Sequence, residues 1–214
     1  MRVNTEILPD NQQKLFNILK NNQWISEFYL AGGTGLALQY NHRKSVDFDF
    51  FNENNFTNEG IIEKLKSIGE VQILSEAKNT LHALVNNVRI SFLGYKYPLL
   101  KNFITEGQIK IADHLDIACM KLSAIASRGT KKDFVDLYFL LKNFKTTELF
   151  NYYEEKYNVK DYTYILLKSL VYFEDADQDP MPVLYESVWW EEVKHTITKE
   201  VQKIGRSEER RVGK

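Results

Sequence analysis

Residues 29–51 read YLAGGTGLALQYNHRKSVDFDFF, and two features of that stretch decide how the rest of the chain is read. Towards its end, residues 46–51 alternate as VDFDFF, the period-two pattern of a β-strand. On such a strand Asp47 and Asp49 leave one face, while Val46, Phe48 and Phe50 leave the other and can bury there. Two neighbouring carboxylates repel each other and call for a cation. Mg²⁺ (or Mn²⁺) suits them, because it takes oxygen ligands and keeps positions open for substrate phosphates. Asp47 and Asp49 are therefore the expected metal ligands. Towards the start of the stretch, a short strand over 27–31 is broken by Gly32-Gly33, and Thr34 is placed to cap a helix running to about residue 40. Glycines allow a tight turn and a close backbone approach by a ligand, and a helix N-terminus offers free N–H groups and a positive dipole end. Gly32, Gly33 and Thr34 thus form an expected phosphate cradle. The pattern is neither the GxxxxGK[ST] loop nor the GxGxxG dinucleotide turn.

Working outward, Leu15, Ile18 and Leu19 give residues 11–22 the stripe of an amphipathic helix. A loop over 52–58 and a helix over 59–68 follow the carboxylate strand. Three strands are expected at 70–75, 80–85 and 88–93, with Asn86-Asn87 as a hairpin turn between the last two. Near Gly107 the pattern weakens, and from residue 113 it becomes helical. Helices are expected to about 129, over 133–141, 148–157 and 162–172, then a loop over 175–182 containing Pro180 and Pro182, then a last helix carrying Trp190, Val193, Ile197, Val201 and Ile204. The expected fold class is α+β. A small mixed sheet flanked by helices occupies 1–112, and a helical region over 113–205 completes the active site. The final residues 206–214, RSEERRVGK, resemble the in-frame translation of a short-read sequencing adapter and are read as a sequence artefact.

Composition bounds the function. Of the 214 residues, 43% are hydrophobic and 27% charged, which fits an ordinary globular chain. The longest apolar runs are a few residues, such as Leu36-Ala37-Leu38, and no apolar signal segment follows Met1, so no membrane span or export is expected. The single cysteine, Cys119, sits among apolar neighbours, reads as a core thiol and fits a reducing cytoplasm. A net charge of −1 gives no global sign of nucleic-acid binding. The tail alone contributes +2 of it, from Arg206, Arg210, Arg211 and Lys214 against Glu208 and Glu209. Trp189-Trp190 and the Tyr-rich segment 152–164 read either as an interface or, more often for such aromatics, as core.

A second informative block is DIACMKLSAIASRGTKKDFVDLYFLL, residues 116–141. Lys121 and Arg128 lie two helical turns apart on one face, and Asp133 and Asp136 likewise share a face. A fixed basic pair can neutralise a triphosphate. From the residues alone, solvated salt bridges between two helices are the competing account. His42, Arg43 and Lys44, just before the carboxylate strand, read either as nucleotide or RNA contacts or as an exposed basic turn. His82, His114 and His195 lack metal-ligand spacing and read as structural or surface.

The two blocks together resemble a known family. The first is similar to the G-[GS]-[ST] … D-x-D signature of the DNA polymerase β-like nucleotidyltransferases, and more narrowly to the AbiEii/AbiGii toxins of bacterial abortive-infection and toxin–antitoxin systems. The second matches that family's Lys-x6-Arg helix and Lys-Asp-x-x-Asp helix; the resemblance covers about residues 24–142. It implies a polymerase β-like fold, with Asp47, Asp49, Lys121 and Asp133 catalytic, and Arg43, Lys44, Arg128, Lys132 and Asp136 joining the glycine turn in binding a nucleoside triphosphate. It implies a toxin that modifies RNA, with tRNA as acceptor, controlled by a separately encoded antitoxin. Many such enzymes place a third carboxylate on a later strand. Here VRISFLGY, residues 88–95, carries none, so a third ligand is absent or comes from elsewhere, Asp133 being the candidate. Nucleotidylation of a protein or small molecule, and a non-catalytic nucleotide-binding regulatory module, are the alternative readings.

Overall fold

A computed structural model describes residues 3–212, with side chains described through Gly205. The chain folds as two compact units, Met1–Ile117 and Ala118–Lys214, divided within a helix.

The first unit is built on seven strands: β1 (Tyr29–Ala31), β2 (Asp47–Asn52), β3 (Val71–Ala77), β4 (Thr80–Val85), β5 (Val88–Gly94), β6 (Ile104–Glu106) and β7 (Ile109–Ile111). They form one mixed sheet in the order β3-β4-β5-β2-β1-β7-β6. The β2–β5 and β1–β7 pairs are parallel and the others antiparallel. With α1 (Asp10–Leu19), α2 (Gly32–Tyr40) and α3 (Asn58–Lys66), this is the mixed α/β arrangement that the sequence pattern predicts.

The core explains why β2 holds its face. Phe48 and Phe50 are fully buried with Phe16, Phe28 and Phe92. Phe50 stacks on Phe92 at 5.5 Å and Phe48 meets Phe16 at 6.1 Å between ring centroids. Each buried ring contributes roughly 2 kcal/mol. A one-residue slip of β2 would exchange these rings for Asp47 and Asp49 in the core, so packing fixes where the carboxylates point. Val46 does not share the buried face. It lies before the strand begins and is 52% exposed.

The Asn86-Asn87 turn forms as expected, both residues having positive φ, the left-handed backbone a two-residue hairpin uses. Strands β6 and β7 were not expected. Three residues each leave too little alternation to read, and Gly107, taken as a boundary, is instead their turn at φ +58. A Cβ there would collide with the Lys20 carbonyl, which accepts from Gln108 N at 2.8 Å.

The second unit is helical. It takes up the later part of α4 (His114–Ser127), then α5 (Lys131–Leu140), α6 (Thr146–Tyr157), α7 (Thr163–Leu170), α8 (Glu174–Gln178) and α9 (Trp190–Val212). Its core gathers Cys119, Leu122, Phe134, Leu137, Leu149, Leu166, Val193 and Ile197. Helix α8 overlaps the start of the segment read as a loop; its run of acids has no apolar period, and only Ala176 buries. Of the Trp pair, Trp190 packs on Phe134 and Phe173, whereas Trp189 is 82% exposed rather than core. The α9 backbone continues through residues 206–212 of the segment read as an artefact, since Glu and Arg propagate a helix readily. The side chains of that segment and residues 213–214 lie outside what is described. Among the described residues no helix is long and apolar enough to cross a membrane.

Candidate active site

Strand β2 presents Asp47, Asp49 and Phe51 half-buried on the face opposite its buried phenylalanines. In the sheet, Asp49 stands between Ala31 of β1 and Ser91 of β5, and Asp47 lies opposite Arg89 of β5. Among the described residues no hydrogen bond or ion pair engages the Asp47 carboxylate. Ser91, where an acid on β5 would meet Asp49, is buried, and its hydroxyl is 3.0 Å from His82 Nδ1. The described residues hold no group of three or more His, Cys, Asp or Glu able to enclose a metal. Two adjacent carboxylates without a third fit a Mg²⁺ that completes its shell with water and substrate phosphates better than an all-protein cage.

The glycine turn abuts this pair. Gly32 has φ +63, which calls for glycine, and a Cβ there would press on the Asp49 carboxylate, 3.0 Å from Oδ2. Helix α2 starts at Gly32 itself, with Ala31 as an N-cap that makes no side-chain bond. The first-turn N–H groups therefore carry no side-chain cap, and the positive end of the helix lies beside the two carboxylates. Thr34 is not the cap expected for it. It is buried in the first turn, and its hydroxyl bonds Ser45 Oγ at 2.9 Å and the Asp47 carbonyl. Thr34 thus ties the glycine turn to the start of β2. Gly33 serves Arg43: a Cβ there would collide with Arg43 Nη2. His42 and Arg43 are buried, so the exposed basic turn reduces to Lys44. Arg43 Nη1 donates to the Lys44 carbonyl at 3.1 Å.

In the second unit, Lys121, Asp133 and Asp136 form one buried cluster. Lys121 Nζ lies 2.8 Å from Asp133 Oδ1 and 2.6 Å from Asp136 Oδ2. The Asp side chains are fully buried and the Lys nearly so, so these salt bridges are interior and not solvated. Thr130 Oγ1 donates to Asp133 Oδ2 at 2.5 Å, and Arg128 Nε approaches the same oxygen at 3.4 Å. Burial pushes the Asp133 carboxyl up, but the Lys121 ammonium, with Thr130 and Arg128, more than offsets it and holds the group below the usual range. The ammonium of Lys121 is thus taken up by two carboxylates, clamping α4 to α5. Arg128 keeps its side chain 62% exposed. Lys132 is exposed, whereas Lys131 is buried, its ammonium on the Asp177 and Asp179 carbonyls and over the Trp190 ring.

Sequence reasoning missed Ser45, Ser91 with His82, Thr130 and Arg89. The strand pairing that brings Arg89 and Ser91 beside the carboxylates was the available signal. The two serines and Thr130 carry no spacing that marks them.

Residues 13–111 match the family described as nucleotidyl transferase AbiEii toxin, type IV TA system. The chain is 42% identical over 185 residues to an uncharacterized protein, aq_aa25, of Aquifex aeolicus, covering 83% of this chain and 87% of that one. The crystal structure of JHP933 from Helicobacter pylori shares the fold, with a TM-score of 0.57 at 19% identity, over 96% of this chain and 97% of its own. A second H. pylori structure gives a TM-score of 0.56 at 19% identity, over 92% and 95%. Residues 13–111, which carry both the glycine turn and the paired carboxylates, belong to the AbiEii family of toxin nucleotidyltransferases.

Proposed function

We propose that the protein transfers a nucleoside monophosphate from a nucleoside triphosphate to a hydroxyl of an RNA acceptor, a tRNA, as the toxin of a system with a separately encoded antitoxin. In this reaction the acceptor oxygen attacks the α-phosphorus and the new P–O bond forms. The bond to the β-phosphate breaks, and pyrophosphate leaves while the hydroxyl gives up its proton. The observation that carries the reading is the placement of Asp47 and Asp49 on one half-buried face, hard against the uncapped start of α2.

Asp47 and Asp49 would hold Mg²⁺ (or Mn²⁺), which when bound neutralises charge on the phosphate oxygens. The N–H groups of Gly32 and Gly33 receive the β- and γ-phosphates at the positive end of the helix. Thr34 fixes the turn against β2 through Ser45 and the Asp47 carbonyl. Arg43 braces the turn from behind Gly33. Lys121, Asp133 and Asp136 clamp α4 to α5, and Arg128 and Lys132 stay exposed beside that clamp. Asp133, bonded to Lys121 and Thr130, acts through position and not as a third metal ligand.

A protein hydroxyl or a small molecule as acceptor is the second reading. The burial of Arg43 favours it, because it leaves Lys44 as the exposed cation of the basic turn before β2. Incubation with Mg²⁺, each α-³²P nucleotide in turn, and a cell lysate separates the two. Label in a tRNA band that disappears in Asp47→Ala and Asp49→Ala supports the first reading. Label in a protein band supports the second, and no label with folded, nucleotide-binding protein points to a non-catalytic module.

A further inference from the structure

A groove of about 320 Å³ opens beside Asp47 in the first unit, near the lower end of the size range for ligand pockets. Gln12 of α1, Lys44, Val46 and Arg89 are among its walls. Three observations mark it as a built site. Gln12 is 1% exposed, yet neither its Oε1 nor its Nε2 has a hydrogen-bond partner. A buried amide left unpaired is costly, and one that lines a groove can be satisfied by a ligand carrying a donor beside an acceptor. Lys44 and Arg89 are exposed and form no ion pair among the described residues, although Arg89 lies opposite Asp47 in the sheet. Val46, exposed beside them, supplies an apolar wall.

Position assigns the groove its ligand. Strand β2 lies between β1 and β5. The glycine turn follows β1 on one flank of the carboxylates, and Arg89 opens β5 on the other. Displacement at the α-phosphorus runs in line, so the attacking oxygen enters opposite the leaving pyrophosphate. With the triphosphate on the β1 flank, the acceptor comes from the β5 flank. We infer that this groove is the acceptor subsite and takes a terminal nucleotide of a nucleic acid, an inference that rests on the function proposed above. Lys44 and Arg89 take its phosphate. The Gln12 amide bonds a base edge that pairs donor with acceptor, as adenine does through N6–H and N7.

The test measures anisotropy of a short 5′-fluorescein oligoribonucleotide ending in adenosine, beside binding of a fluorescent NTP analogue. Arg89→Ala and Gln12→Leu are expected to weaken the oligonucleotide roughly tenfold each and leave the NTP analogue unaffected. Arg89→Ala should also lower the salt slope by about one. Arg89 is exposed, so its variant reports on binding even if Gln12→Leu disturbs folding. Unchanged oligonucleotide affinity in Arg89→Ala, or weakened binding of the NTP analogue instead, overturns the inference. If the wild type labels RNA while Arg89→Ala alters neither affinity nor acceptor KM, the groove assignment alone fails. If no RNA is labelled but both variants still weaken the oligonucleotide, the groove stands as a nucleic-acid site and the proposed reaction fails.

Discussion

A side chain at Gly32 would bring its Cβ to 3.0 Å from Asp49 Oδ2, so the turn after β1 and the carboxylate on β2 lie in direct contact. The positive φ of Gly32 makes the same demand through the backbone. Gly32→Ala is therefore expected to destabilise the fold by about 1–2 kcal/mol and to displace Asp49. Urea denaturation measures the first effect. A loss of Mn²⁺ affinity larger than the stability change explains measures the second.

Asp47 and Asp49 are only half-buried, and their strand is held by Phe48 and Phe50 on the other face. Asp47→Ala and Asp49→Ala should keep the wild-type melting temperature within a few degrees while activity falls by about a hundredfold or more. A large drop in melting temperature would show instead that the pair is structural.

Thr34→Val removes the hydroxyl that joins Ser45 to the Asp47 carbonyl while keeping the shape. A cost of about 1–2 kcal/mol is expected. Thr34→Ser should restore most of it. Equal behaviour of the Val and Ser variants would mean that the tie between turn and strand contributes nothing.

Lys121 is the ammonium that two fully buried carboxylates share, so Lys121→Met, which leaves Asp133 only Thr130 and the more distant Arg128, should cost about 3–5 kcal/mol. Removing all three charges with Lys121→Met, Asp133→Leu and Asp136→Leu should recover much of that loss. The folded-state carboxyl of Asp133 lies below its ordinary value of 3.8. Its contribution is thus complete above the unfolded value and is lost as pH falls through the lower folded one. Stability measured down through the carboxylate range should fall less steeply in Asp133→Asn than in wild type. Parallel acid limbs would contradict the role assigned to Lys121.

Much of the fold and of the candidate site is legible in the amino-acid sequence, and the exceptions share a cause. The alternation of residues 47–51 reports a local period, and it places both carboxylates on one face without reference to any other strand. The Gly32-Gly33 break likewise announces a turn, but not that Gly33 makes room for Arg43. Burial of Arg43 and Lys131 is illegible because charged residues default to the surface unless a distant partner takes them in. For Lys131 that partner is the backbone at Asp177 and Asp179, more than forty positions away. The clamp of Lys121 by Asp133 and Asp136 is half visible, since helical spacing puts each set on one face but cannot tell a buried contact from a solvated one. Strands β6 and β7 are too short to show a period and take their form from pairing, β7 with β1 and β6 with β7.

The most direct test of the central claim pairs two labels. Wild-type protein and Asp49→Ala are each incubated with Mg²⁺, total tRNA, and the same nucleotide labelled at either the α- or the γ-phosphate. The account predicts that α-label enters RNA with wild type, that γ-label leaves as pyrophosphate, and that Asp49→Ala incorporates neither. Incorporation of γ-label, or α-label transfer undiminished in Asp49→Ala, would contradict nucleotidyl transfer at the Asp47–Asp49 pair.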